Sequence, residues 1–286
     1  MPEVHINGVK THYEVHGEGA PTLFIHGGFG RTQTTLTPGP ITMLDAAPLD
    51  RVQLITYDRR CAGASDYTVE DAYDLEVIAA DARALLAHLG HERAIIVGSS
   101  MGGMVAQQFA LNFPGAVQAL ALLNTGPRLM FETPWGKQFT ALVDRVETEG
   151  PDAVFADALP ALREPPAREF PSPLATQAAA TRLRYTEVVK SVSDEDLFRY
   201  WFGAVHNYAA FIGFDFTSRL GEIAAIDAPK VIVHGEADNT VPFSDAEALR
   251  DGIGEIEFHA IPNADHGITG YPEAQDVVRD WLSRVA

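Results

Sequence analysis

The sequence predicts an α/β domain, a mostly parallel sheet with helices on both faces and a helical segment inserted late in the chain. Three observations carry that expectation. Short apolar runs alternate with stretches of helical period, and the runs are unbroken, as in strands covered on both faces. The alternation stops between about Arg128 and Leu220, where no convincing strand pattern occurs. One join between a run and a helix reads Gly98-Ser99-Ser100-Met101-Gly102-Gly103, a density of small residues that a simple tight turn does not require.

Taken in order, Val4 to Val15 alternates about Asn7-Gly8, a strong hairpin signal. The runs that follow are Thr22–His26, Gln53–Asp58, Ala94–Ser99, Ala119–Asn124, Lys230–His234 and Ile256–Ile261. The clearest helix is Leu75 to Leu89, whose Leu75, Ile78, Ala82, Leu85, Leu86 and Leu89 share one face before Gly90 stops it. Met101 to Asn112 reads as a second helix ended by Pro114, and Ala274 to Val285 as the last. The insertion carries five prolines between Leu159 and Leu174, expected as a stiff exposed loop, then eight aromatics between Phe198 and Phe216. It is expected between the fifth and sixth parallel-type strands. Residues 1–127 and 221–286 would then form the core domain and 128–220 a helical cap.

Composition excludes whole classes of function. Of 286 residues, 46% are hydrophobic and 21% charged, the profile of a globular chain with a sizeable core. Thirty-nine acidic against 21 basic residues give a net charge of −18, which argues against nucleic acid or an anionic membrane as partner. The single cysteine, Cys61, excludes an intrachain disulfide and any CxxC site. Met1-Pro2-Glu3-Val4 shows no basic region leading into an apolar stretch, so no signal peptide is expected. The most apolar region, Ala94 to Asn124, is interrupted by Ser, Gly, Gln, Asn and Pro and falls short of a membrane span. A cytoplasmic location is the expectation, and the oligomeric state is left open, a homodimer among the options.

The chemistry concentrates at the glycine-serine join. Gly98-Ser99-Ser100-Met101-Gly102 fits G-x-S-x-G, in which glycines two before and two after leave room for a sharp strand-to-helix turn that holds Ser100 outward. A serine hydroxyl needs a base, and of ten histidines His266 is the one placed in a turn-rich loop after the last strand. His234 lies inside a strand and His88 in a helix, where packing or solvation is expected; His26 ends a strand and is expected to hold its own loop. The acid partner is assigned to Asp238, at the end of a neighbouring strand, rather than to Asp265, adjacent to His266 in a tight loop. The position after the preceding strand holds Asn124, which carries no charge. Developing negative charge on a carbonyl oxygen would be met by the Met101 amide and by a second amide from the loop His26-Gly27-Gly28-Phe29-Gly30, that of Gly28 or of Phe29. That chemistry calls for no cofactor and no metal.

In HGGFG at 26–30, YDRRCAGASDY at 57–67, GSSMGG at 98–103, HGEADNTVP at 234–242 and NADHG at 263–267, the chain resembles the α/β-hydrolase fold superfamily. The resemblance spans nearly the whole core. It implies an eight-stranded, mostly parallel sheet with an inserted helical cap and a Ser-His-Asp triad at Ser100, His266 and Asp238. It does not imply a substrate, because the fold hosts many chemistries. Dehalogenases and epoxide hydrolases carry aspartate where this chain has Ser100. Proline iminopeptidases typically carry Trp where it has Met101, and meta-cleavage C–C hydrolases have Asn and Trp where it has Ser99 and Gly267. Relatives often read Asp-x-Arg-Gly where this chain reads Asp58-Arg59-Arg60-Cys61; Asp58 and Arg59 are expected to serve as a structural ion pair or turn anchor, and Cys61 to be structural or incidental.

The aromatic stretch suggests a roof for an uncharged, moderately hydrophobic group, with Trp201, Phe202, His206 and Phe211 as candidate pocket residues, although rings of this kind commonly bury a cap against its core. The expected activity is hydrolysis of a small hydrophobic carboxylic ester or lactone through an acyl-enzyme on Ser100. The alternatives are a C–C bond hydrolase, favoured by the shared Ser-Met-Gly-Gly, and a slow-turnover ligand sensor that keeps the fold.

Overall fold

The computed structural model describes residues 2–28, 42–68, 74–128, 134–164 and 190–286. Eight strands form one sheet: β1 Glu3–Ile6, β2 Val9–His16, β3 Ala20–Ile25, β4 Val52–Tyr57, β5 Ala94–Ser99, β6 Val117–Leu123, β7 Lys230–Gly235 and β8 Glu257–Ile261. Their order is β1-β2-β4-β3-β5-β6-β7-β8. The β1–β2 hairpin turns at Asn7 and Gly8, both at positive φ (47° and 81°), and joins β4 antiparallel. All other pairings are parallel.

The unbroken apolar runs have the expected cause. In β5, Ala94 and Ile96 enter one core cluster while Ile95 and Val97 enter the other. Leu120 and Leu122 of β6 divide in the same way from Ala119, Ala121 and Leu123. Helices Leu75–His88 and Met101–Asn112 cover the first face; Thr42–Ala46 and Pro272–Val285 cover the second. Both faces of a central strand are therefore dry, and no polar alternation survives in its sequence.

Boundaries shift by a residue or two. Strands β3, β4 and β6 end one residue earlier than their apolar runs, so His26, Asp58 and Asn124 stand just beyond them. Helix Phe243–Ile253, between β7 and β8, was not foreseen; its apolar positions are diluted by Ser244, Asp245, Glu247, Arg250 and Asp251. The parallel strands are β3 to β8, and the inserted segment joins β6 to β7, the fourth and fifth of them, one strand earlier than the count from sequence.

Among the described residues the insertion contains helices Pro134–Glu149, Pro151–Leu162 and Asp194–Ala209, and an isolated bridge, Arg128 to Asp215, where its two ends meet. Pro160 lies within the second helix; Pro165, Pro166, Pro171 and Pro173, and with them most of the expected stiff loop, lie outside the described residues. The third helix is capped by Ser193, whose Oγ accepts the Asp196 amide at 3.0 Å, and Asp194, Glu195 and Asp196 favour the positive end of its dipole. It settles on the core through Asn207, buried, whose Nδ2 donates to the Cys61 carbonyl at 2.7 Å. Cys61 itself adopts φ 56°, the left-handed region that glycine takes freely.

Candidate active site

Ser100 stands between β5 and helix Met101–Asn112 with φ 54° and ψ −124°, a conformation outside the ordinary regions for an L-residue. The strain is held by its surroundings. The Ser100 amide donates to the Leu123 carbonyl at 2.9 Å, and Thr125 Oγ1 donates to the Ser100 carbonyl at 2.7 Å. Glycine is required on both sides for a measurable reason. A Cβ on Gly102 would lie 2.0 Å from the Ile25 carbonyl oxygen, and one on Gly98 would lie 2.4 Å from the Gly102 oxygen.

The His26–Gly28 loop presses on the same turn. A Cβ on Gly27 would sit 2.7 Å from Ser100 Cβ, so only glycine lets the loop approach the serine. His26 accepts the Arg59 amide at Nε2, at 3.5 Å, which ties it to the loop after β4, and its Nδ1 lies 3.3 Å from the Gly27 carbonyl oxygen in its own loop. The buried Arg59 donates through Nη2 to the Gly28 carbonyl and lies over the Phe211 ring, 5.7 Å from its centre. Asp58, also buried, accepts the Ala64 amide at 2.8 Å, and Arg60 forms a bidentate pair with buried Asp81 at 2.6 and 2.9 Å. Phe29, the other candidate for the second oxyanion amide, lies outside the described residues. The Met101 amide opens its helix, in the first turn, where N–H groups have no intrahelical acceptor.

Two loops bring the remaining groups. After β7, Glu236 and Ala237 donate their amides to the Ile261 and Ala264 carbonyls at 3.1 and 2.9 Å, which ties this loop to the one after β8. His266 then reaches both neighbours: Ser100 Oγ lies 2.9 Å from its Nε2, and its Nδ1 lies 2.8 Å from Asp238 Oδ2. Because a carboxylate only accepts, Nδ1 carries the proton and Nε2 receives the serine hydroxyl. Asp265 is turned elsewhere, its Oδ1 accepting the Gly267 amide at 2.9 Å.

The Asp238 side chain is fully buried. Burial alone would raise its carboxyl, but hydrogen bonds from His234 and His266, the charge of His266 and the Val241 amide outweigh it. The group is held below the usual carboxylate range and stays ionised. Its other oxygen, Oδ1, accepts the Thr240 and Val241 amides at 2.8 and 2.9 Å. The arrangement can therefore draw a proton from Ser100 and stabilise the cation this forms on His266.

Two residues that the sequence reading set aside take part in this geometry. Asn124 donates through Nδ2 to the His266 carbonyl at 3.0 Å and accepts Ser99 Oγ at 2.9 Å, so it anchors the loop of the base. His234, expected only to pack, places Nε2 within 3.4 Å of Asp238 Oδ2. The i, i+4 spacing of His234 and Asp238 about a strand end was the available signal.

The aromatic candidates pack largely on one another. Phe155, Phe198, Trp201 and Phe202 form a cluster with ring centres 5.2 to 6.2 Å apart. The His206 ring lies tilted against Phe202, centres 4.4 Å apart, and burial pushes its imidazole down, toward the uncharged form. Among the described residues no group of three or more His, Cys, Asp or Glu side chains is placed to hold a metal ion, and no helix is long and apolar enough to cross a membrane.

A family model described as the alpha/beta hydrolase fold matches residues 21–269. A Variovorax paradoxus protein, provisionally named carbamate hydrolase RutD, is 27% identical over 284 residues, 96% of this chain and 97% of that protein. The bifunctional esterase/perhydrolase DCH of Acinetobacter calcoaceticus is 25% identical over 289 residues, 97% of this chain and 96% of that one. Among solved structures, the enol-lactonase of Burkholderia xenovorans LB400 superposes with a TM-score of 0.71 over 99% of both chains, at 19% identity, a likeness of fold.

Proposed function

The chain belongs to the alpha/beta hydrolase fold family, and on that premise we propose that it is a cofactor-independent serine hydrolase cleaving a carboxylic ester or lactone. One observation carries the reading: Ser100 Oγ, His266 and buried Asp238 form a hydrogen-bonded chain of 2.9 and 2.8 Å that begins at a strained strand-to-helix turn. Ser100 Oγ attacks the acyl carbon while His266 Nε2 takes its proton, and the carbonyl π-electrons pass to the oxygen. The Met101 amide and one from the Gly28–Phe29 loop receive that oxygen, each donor worth on the order of 3 kcal/mol. His266 returns its proton to the leaving alkoxide. Water, deprotonated by the same nitrogen, then releases the acid and restores Ser100.

The aromatic cap and the uncharged His206 fit a hydrophobic acyl or ring group better than an anionic one. Esterase and lactonase names among similar proteins are consistent with the bond type, while the carbamate hydrolase name marks a neighbouring carbonyl chemistry. The test is hydrolysis of p-nitrophenyl esters from acetate to octanoate by the wild type and by Ser100→Ala. Turnover in the wild type that is lost in the variant supports the serine esterase, and the preferred chain length measures the pocket. If lactones and all of these esters are left intact, the proposal fails and a C–C substrate, favoured by Ser100-Met101-Gly102-Gly103, becomes the better reading.

A further inference from the structure

We propose that His234 is a positioning residue for the base, holding from behind the carboxylate on which His266 works; the proposal rests on the reading of Ser100 as nucleophile. His234 Nε2 lies 2.9 Å from the Val241 carbonyl oxygen, which can only accept, so this nitrogen carries a proton. The same N–H faces Asp238 Oδ2 at 3.4 Å, and both side chains are fully buried, where no water competes. On the other side of the ring Nδ1 is buried without a hydrogen-bond partner among the described residues, and Phe243 stands edge-on with its centre 6.0 Å away. The surroundings thus satisfy one tautomer, the one that donates toward Asp238.

Counting donors shows what this does. Asp238 Oδ1 takes the Thr240 and Val241 amides, and Oδ2 takes His266 Nδ1 at 2.8 Å while His234 Nε2, bonded to the Val241 carbonyl, faces it at 3.4 Å. The two histidines share one oxygen. The His234 donor fixes that oxygen against rotation about the carboxylate and withdraws charge from it, which tempers its pull on the His266 proton. Among the described residues, Asp245 on helix Phe243–Ile253 also acts on His234, and Arg128 pairs with Asp245 at 3.3 Å. Neither of them separates His234 from Asp238.

A fluorophosphonate probe reads this without a known substrate: Ser100 Oγ bonds to phosphorus, fluoride leaves, and His266 takes the proton. Labelling rates are measured against pH for wild type, His234→Leu, His234→Gln and Ser100→Ala, with circular dichroism confirming each fold. His234→Leu is expected to label about tenfold more slowly at neutral pH and to move the acid limb of the profile up by about half a pH unit, the scale of one lost hydrogen bond. His234→Gln, whose amide nitrogen can donate from a similar place, is expected to restore the wild-type limb. A Leu variant with the wild-type profile overturns the proposal, as do Leu and Gln variants that slow equally with an unmoved limb, the behaviour of a packing residue. With Ser100→Ala unlabelled, those results sink the role of His234 alone. Labelling of Ser100→Ala at the wild-type rate removes the nucleophile assignment and this inference with it.

Discussion

Asp238→Asn changes one oxygen to a nitrogen, and the surrounding donors determine the outcome. The carboxylate accepts from two backbone amides at Oδ1 and from His266 Nδ1 at Oδ2, which His234 Nε2 also faces at 3.4 Å. An asparagine has one accepting oxygen and an NH2 that only donates. The Thr240 and Val241 amides cannot change their polarity, so the side-chain oxygen turns to them and the NH2 faces His266 and His234. His266 can then pair only by moving its proton to Nε2, which aims an N–H at Ser100 Oγ, 2.9 Å away, where a lone pair is needed. The base is lost with every residue still in place. By this tautomer argument kcat falls by about 10³–10⁴-fold, about 4–5.5 kcal/mol, with KM little changed. Stopped-flow hydrolysis of p-nitrophenyl butyrate measures both constants, and urea unfolding confirms the fold. Asp265→Asn serves as the control and is expected near wild type, because an asparagine oxygen can accept the Gly267 amide just as the aspartate does. An Asp238→Asn variant within tenfold of wild type, or an Asp265→Asn variant more damaged than it, refutes the reasoning.

Ser100→Gly should abolish turnover yet raise stability by about 1–3 kcal/mol, because glycine relieves the strain at φ 54°, whereas Ser100→Ala should leave stability near wild type. Urea midpoints of the two variants measure the difference, and equal midpoints would mean the turn is unstrained. Asp81→Ala removes the partner of buried Arg60 and an acceptor of Asn7, and should cost about 3–5 kcal/mol; a loss under about 1 kcal/mol in the same assay would show that Arg60 finds water instead. Folding lowers the Asp238 carboxyl below its ordinary range, so the unfolded chain binds that proton more tightly. Its contribution is complete above about pH 4 and is lost as pH falls from there through the folded value. The stability gap between wild type and Asp238→Asn should therefore hold level above about pH 5 and narrow below about pH 4, and a gap unchanged between about pH 5 and about pH 3 would contradict it.

Much of the fold was legible because burial leaves a trace in the order of residues. Ala94 to Val97 face two cores in alternation and so read as one apolar run, and Asn7-Gly8 marks its turn through two positive φ angles. Helix Phe243–Ile253 escaped because it packs through Ala246, Leu249 and Ile253 while its outer face is charged. The spacing is helical but sparse, and a short apolar stripe of that kind does not stand out from a loop. The insertion was placed one strand too late, since the segment from Arg128 to Leu220 follows the fourth parallel-type run, Ala119–Asn124, and precedes the fifth, Lys230–His234.

The candidate site divides along a similar line. Ser100, Asn124, Asp238 and His266 each stand in the loop beyond the carboxyl end of a strand, after β5, β6, β7 and β8, and those four strands are consecutive in the sheet. Parallel strands place those ends along one edge, so a polar residue following each apolar run can be assigned to that edge from the chain alone. Strand order then makes neighbours of Asp238 and His266 across 28 residues, whereas Ser100, three strands from β8, meets His266 across 166 residues because the loop after β8 reaches back along that edge over Asn124. What the order of residues does not carry is the direction of single polar atoms. Asp238 and Asp265 are both carboxylates near the same edge, and only the turn around Gly267 diverts Asp265 to its own backbone. His234 lies in a strand whose residues are all buried, so its pattern is that of packing. Its part depends on a carbonyl at Val241, seven residues on, that fixes which nitrogen carries the proton. Pairing of this kind arises only when the loop after β7 folds back on its own strand.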